Sequence, residues 1–149
     1  MKSVAFVTYN AVGNNTPNGW MDGLDGRRAF VLQNTKGEGS LKGKPIGEQN
    51  RREQLEQFWK ELQLVLPELD QIVVYVGVAG SERAFALASE LPPSKITFVS
   101  CTCSIREKER MLEEAGLTDV GRVICECGGH HTLAKMFDQF MFEGTLPGR

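Results

Sequence analysis

The sequence contains no apolar run that approaches the roughly 20 residues needed to cross a bilayer, so it predicts no membrane-spanning helix. It also lacks a basic excess, because 17 Lys and Arg residues face 19 Asp and Glu residues and give a net charge of −2. General binding to nucleic acids is therefore not expected. The start of the chain holds an apolar run over residues 4–7 that is too short for a signal peptide, so we expect a cytoplasmic location.

Three common catalytic or cofactor-binding motifs are also missing. No G-x-x-x-x-G-K-[ST] segment is present to form a P-loop, and no G-x-S-x-G segment is present to form the nucleophile turn of an α/β-hydrolase. Residues 77–81 read GVAGS, which has too few glycines for a dinucleotide fingerprint, and no acidic residue ends the next strand. The sequence therefore leaves the cofactor unknown, with zinc as one candidate.

What is present is the composition of a globular domain, with 41% hydrophobic and 24% charged residues. A chain of 149 residues can bury one independent core, so we expect a single domain over residues 1–149. Four short apolar runs rich in β-branched residues predict strands that are covered on both faces. These runs lie at residues 4–9, 71–78, 95–101 and 122–127.

Helical patterns alternate with these strands. In the first of them, apolar residues recur every three or four positions until Pro67 interrupts the pattern. The predicted helices cover residues 48–66, 81–91, 104–115 and about 132–142. Alternating strands and helices predict an α/β fold, specifically a three-layer αβα sandwich. Its sheet is expected to be mainly parallel and doubly wound, Rossmann-like or flavodoxin-like, with four to five strands.

Three further segments are less regular. Residues 28–33 are the candidate fifth strand, placed at an edge of the sheet. Residues 10–27 and 34–47 are rich in Gly and in Asn or Lys, and both predict long loops. Loops of this length either cover a ligand or are solvated insertions, and the sequence leaves both interpretations open.

All four cysteines and both histidines occur in the last two strand-to-helix turns, residues 101–104 (CTCS) and residues 125–131 (CECGGHH). In an open parallel sheet these turns meet at the carboxyl edge, where ligands usually bind. Strands that follow one another in sequence are usually neighbours in the sheet. We therefore expect the two C-x-C segments to lie side by side.

The outer cysteines and the two histidines form a candidate metal site. Thiolate and imidazole donors suit zinc, and iron or copper are alternatives that the sequence does not separate. The C-x-C spacing is shorter than the C-x2–4-C spacing of zinc ribbons, so an extended C-x-C segment must curl before both thiols reach one ion. The candidate ligands are Cys103, Cys127, His130 and His131.

Two other interpretations of these cysteines stay open. Cys103 and Cys127 are candidate catalytic thiols, with His130 as an acid or base, because Cys103 precedes a predicted helix N-terminus that favours a thiolate. Alternatively, the cysteines are buried structural residues. That structural interpretation is favoured for Cys101 and Cys125, which lie within predicted core strands.

A different class of function uses the same edge without thiols, as a binding module or sensor for a small anionic ligand such as a nucleotide or phosphorylated metabolite. Glycines allow close backbone approach to a phosphate, and hydroxyls and helix N-termini bind it. Asn10 is a further polar candidate, although asparagine is also a common turn residue. The candidate ligand-binding residues are Asn10, Gly80, Ser81, Ser104, Gly128, Gly129 and His131.

A third possibility is a subunit of a larger assembly, and a homo-oligomer is compatible with the sequence. The last predicted helix carries apolar residues that either pack in the core or form an interface, and core packing is favoured for most of them. These residues are Met136, Phe137, Phe140, Met141 and Phe142. The sequence does not decide between an enzyme, a binding module and a subunit.

Overall fold

The computed structural model describes residues 2–8, 17–33, 57, 59–75, 92–101, 105–125 and 129–147. These residues form a mixed six-stranded sheet with helices packed against it, which confirms the α/β class. The strands are β1 (Ser3–Thr8), β2 (Gly19–Asp22), β3 (Arg28–Gln33), β4 (Gln71–Tyr75), β5 (Ile96–Cys101) and β6 (Gly121–Cys125).

Three α-helices are described: α1 over residues 59–65, α2 (Ile105–Glu114) and α3 (Gly129–Glu143). As predicted, α1 ends before Pro67, which lies in a short 3-10 turn. Helix α2 ends at Gly116, whose φ of 73° is the left-handed conformation that favours glycine at this position. The predicted helix at 81–91 lies outside the described residues.

The strand order is β2-β3-β1-β4-β5-β6, and among the described strands only the β2–β3 pair is antiparallel. Two predictions were therefore wrong: the sheet has more than five strands, and β3 is not at an edge. The additional strand β2 lies within the predicted loop 10–27 and covers β3. Its Trp20 ring packs against Phe30 at 5.3 Å between centroids, and the Arg28 guanidinium lies 4.0 Å from the same ring.

Buried side chains form two apolar clusters, and alternate residues of each strand contribute to one or the other. Ala5 and Val7 of β1 belong to the cluster with α1 and α2, whereas Val4 and Phe6 belong to the cluster with α3. This alternation follows from the two-residue repeat of a strand, so the two faces of the sheet contribute to different clusters. Core packing is confirmed for three apolar residues of α3, namely Met136, Phe140 and Met141, whereas Phe142 is 67% exposed.

The last strand departs from the prediction that every strand is covered on both faces. Strand β6 is at the end of the sheet order, and Ile124 is 56% exposed. A terminal strand has a neighbour on one side only, so fewer elements are available to cover its side chains.

A carboxylate at the opposite, amino edge of the sheet joins β4 to β1. Asp70 Oδ2 accepts hydrogen bonds from the backbone N–H groups of Lys2 (3.1 Å) and Ser3 (3.0 Å) and from the Ser3 hydroxyl (3.0 Å). The Lys2 N–H bond, followed by those from Ser3, holds the pKa of Asp70 below its ordinary value of 3.8, although desolvation acts in the opposite direction. The ionised form is therefore the one that stabilises this join.

The Asp70→Asn substitution is expected to lower the free energy of unfolding at neutral pH by about 1 kcal/mol, because it removes a charged hydrogen-bond acceptor. The effect stays this small because Asp70 is exposed. Because the pKa of Asp70 is lower in the folded state, its carboxylate stabilises the fold above pH 3.8. This stabilisation is lost as the pH falls toward the pKa of the folded state. The difference between wild type and variant should therefore shrink in acid. Urea unfolding at neutral and acidic pH measures it, and a difference that does not change with pH would contradict this assignment.

Candidate functional site

The carboxyl ends of the five parallel strands meet at one edge of the sheet. The strands end at Thr8, Gln33, Tyr75, Cys101 and Cys125, and each is followed by a segment that the sequence predicts to be a turn or loop. Thr8 and Gln33 are buried, and Tyr75 is half-buried. This edge is where the sequence places all the candidate site residues.

The two segments that carry the cysteines leave the sheet next to each other. Strands β5 and β6 are parallel neighbours, and Cys101 and Cys125 are partners in the backbone register. The prediction that consecutive strands would bring the two C-x-C segments side by side is thus confirmed for the first cysteine of each segment.

Helix α3 starts at the same edge. It begins at Gly129, three residues before the predicted start, so His130 and His131 belong to its first turn. Buried Leu133 and Phe140 anchor the helix against the sheet. The first turn of α3 therefore lies four residues along the chain from the end of β6.

The other predicted site residues lie outside the described residues. They are Asn10, Gly80, Ser81, Cys103, Ser104, Cys127 and Gly128. In the part of the chain that the structure describes, no three His, Cys, Asp or Glu side chains come together as a metal site.

The strand order contains a second feature of this edge. From β1 the chain passes to β3 on one side, then returns to the other side of β1 for β4, β5 and β6. The order therefore reverses between β1 and β4. In open α/β sheets such a reversal separates two connecting segments and opens a crevice at the carboxyl edge.

Sequence reasoning missed one polar residue near this edge. The Asn18 side chain donates to Gln33 O (3.0 Å) and accepts from Gln33 N–H (2.8 Å). These two bonds imitate a strand partner and fix the carboxyl end of β3. Asn18 lies in the predicted loop 10–27, where an asparagine indicates only a turn.

None of the protein-family models, curated proteins or solved structures compared with this chain gives a significant match. Among the described residues, no helix has both the length and the apolar character needed to cross a membrane.

Proposed function

We propose that the carboxyl edge beside β5 and β6 carries a metal- or thiol-based site formed by Cys103, Cys127, His130 and His131. The observation that supports this proposal most directly is the register pairing of Cys101 with Cys125. Neighbouring strands lie about 4.8 Å apart, so both C-x-C segments continue from adjacent points of the sheet.

In the metal form of the proposal, the two outer thiolates and one or both imidazoles hold the ion. Zinc suits this donor set, and three protein donors would leave a fourth position for water or a substrate. The position of His130 and His131 in the first turn of α3 supports this form, because α3 begins four residues after the end of β6.

In the thiol form, Cys103 or Cys127 reacts as a thiolate and His130 transfers the proton. We infer a cytoplasmic location, where thiols stay reduced and available for either role. A metal ion and a free reactive thiol are alternatives at the same residues, and the experiment below separates them.

We also infer that the sheet is the central layer of a doubly wound αβα sandwich. The two apolar clusters on opposite faces and the parallel order β3-β1-β4-β5-β6 support this arrangement. That order matches the flavodoxin-like pattern when the antiparallel strand β2 is left aside.

The reversal between β1 and β4 favours a second candidate, a site for a small anionic ligand. Asn10 follows β1, and Gly80 and Ser81 lie in the segment that follows β4. Glycine and a serine at a predicted helix start are suited to a phosphate group. This crevice would lie two strand positions from the thiols, so the two candidates are distinguishable by mutation.

Elemental analysis of protein purified without chelator tests the proposal. We expect bound zinc in the wild type and its loss in the Cys103→Ser/Cys127→Ser variant. The matched control is Cys101→Ser/Cys125→Ser, which retains the outer pair and should retain the metal.

If the wild type holds no metal, maleimide labelling tests the thiol form. That form requires fast labelling of the wild type and no fast labelling of the Cys103→Ser/Cys127→Ser variant. Unreactive thiols in a metal-free protein would contradict the proposal. A rise in Tm with nucleotides or sugar phosphates, reduced by Gly80→Val and not by the cysteine changes, would then favour the second candidate.

A further inference from the structure

A charged groove lies between helix α2 and strand β6. Its volume is about 460 Å³, and it is lined by Ile105, Arg106, Glu109, Arg110, Glu113, Thr118 and Arg122. Among the described residues, β6 has a strand neighbour on its β5 side only. The groove therefore borders an edge whose outer backbone groups are able to pair with another strand.

The four charged residues of α2 in this groove follow one another in a particular order. Arg106, Glu109, Arg110 and Glu113 occupy positions i, i+3, i+4 and i+7 and form one stripe along the helix. Read in the reverse direction, the same stripe has the opposite sign at each position. A second copy of α2 running antiparallel would place Arg106 against the partner's Glu113 and Glu109 against the partner's Arg110.

The edge strand β6 can also pair with a second copy of itself about a two-fold axis. A two-fold axis at Val123 would place Arg122 opposite the partner's Ile124, where the arginine stem would cover the exposed isoleucine. Arg122 Nε lies 3.1 Å from Glu109 Oε2, so the middle of β6 and the middle of α2 are level with each other. The same two-fold axis can therefore relate both β6 and α2 to their copies in the partner.

The spacing of the elements is also compatible. Helix α2 contacts β5, where Leu112 belongs to the same apolar cluster as Phe98, and its Glu109 pairs with Arg122 of β6, so α2 lies over these two strands. Pairing β6 with the partner's β6 at about 4.8 Å would place the two α2 helices roughly 10 Å apart. Packed helices are usually separated by about 8–10 Å.

We propose that the chain forms a two-fold symmetric homodimer in which β6 pairs antiparallel with the partner's β6 and α2 packs against the partner's α2. The partner is a second copy because the charge stripe of α2 is complementary to itself, which is the condition for a two-fold interface. This inference does not depend on the proposed thiol site. The dimer would extend the six-stranded sheet across both chains.

Sedimentation of charge variants over a range of protein concentrations tests the dimer. Arg106→Glu alone and Glu113→Arg alone each bring like charges together twice across the axis, and each is expected to weaken dimerisation roughly tenfold or more. Mixing the two single variants should restore a heterodimer, because both contacts regain opposite charges. The matched control, Arg106→Glu/Glu113→Arg in one chain, should dimerise like the wild type.

Ile124→Lys tests the strand contact separately, because it places a lysine beside the partner's Arg122. This exposed substitution should leave the circular dichroism spectrum unchanged and shift the protein to monomer. A wild type that remains monomeric at millimolar concentration would overturn the proposal. Single charge variants that both dimerise as tightly as the wild type would also overturn it.

Discussion

Replacing Phe140 with alanine is expected to lower the free energy of unfolding by roughly 3–5 kcal/mol, because it removes a large side chain from a closely packed core. Phe140 is 0% exposed, and its ring lies 6.1 Å from that of Phe6 on the central strand β1. Phe6 also packs edge-on against Phe137, at 5.4 Å between centroids. The cavity would therefore open where α3 attaches to the sheet.

Urea unfolding at a fixed protein concentration measures this loss, since any dimerisation would make stability depend on concentration. Phe142→Ala is the matched control: it removes the same side chain from the same helix at a position that is 67% exposed. Its effect should stay within about 0.5 kcal/mol. Equal losses for the two variants would show that α3 does not pack as described.

The second large effect is expected at Gly144, which ends α3. Its N–H donates to Phe140 O (2.9 Å) and Gln139 O (3.2 Å), and its φ is 78°. A Cβ here would overlap Nη1 of Arg27, whose guanidinium donates to Met141 O (3.2 Å) at the negative end of the helix. Gly144→Ala should therefore combine backbone strain with displacement of this cap and cost roughly 2–4 kcal/mol.

Gly116→Ala separates these two causes. Gly116 ends α2 with a φ of 73°, yet a Cβ there would meet nothing within 4 Å. The Gly116→Ala variant should therefore lose only about 1–2 kcal/mol of unfolding free energy, from backbone strain alone. Thermal unfolding of both variants is the measurement, and a Gly144→Ala loss no larger than that of Gly116→Ala would remove Arg27 from the explanation.

Local signals predicted most elements of the described structure. The apolar runs gave β1, β4, β5 and β6 to within a residue or two where they are described, and Pro67 and Gly116 marked helix ends correctly. Such signals depend only on residues that are close together in the chain, so a single sequence is enough to recognise them.

Features that depend on contacts between distant parts of the chain could not be predicted from the sequence in this way. Strand β2 has only four residues, and its existence depends on pairing with β3 and on the contact between Trp20 and Phe30. The exposure of Ile124 depends on the terminal position of β6 in the sheet. For the candidate site, consecutive strands were enough to predict that Cys101 and Cys125 would be neighbours, but nothing local indicated the role of Asn18.

The position of β1 has a consequence for the order in which the chain acquires its structure during synthesis. β1 is the first strand of the sequence, but it lies between β3 and β4 in the sheet, and β4 ends at Tyr75. A ribosome must therefore translate and release the whole segment from β1 to Tyr75 before β1 has a strand on each side. Until then the β1–β3 pair presents an apolar open edge, the kind of surface that chaperones bind and that aggregates grow from.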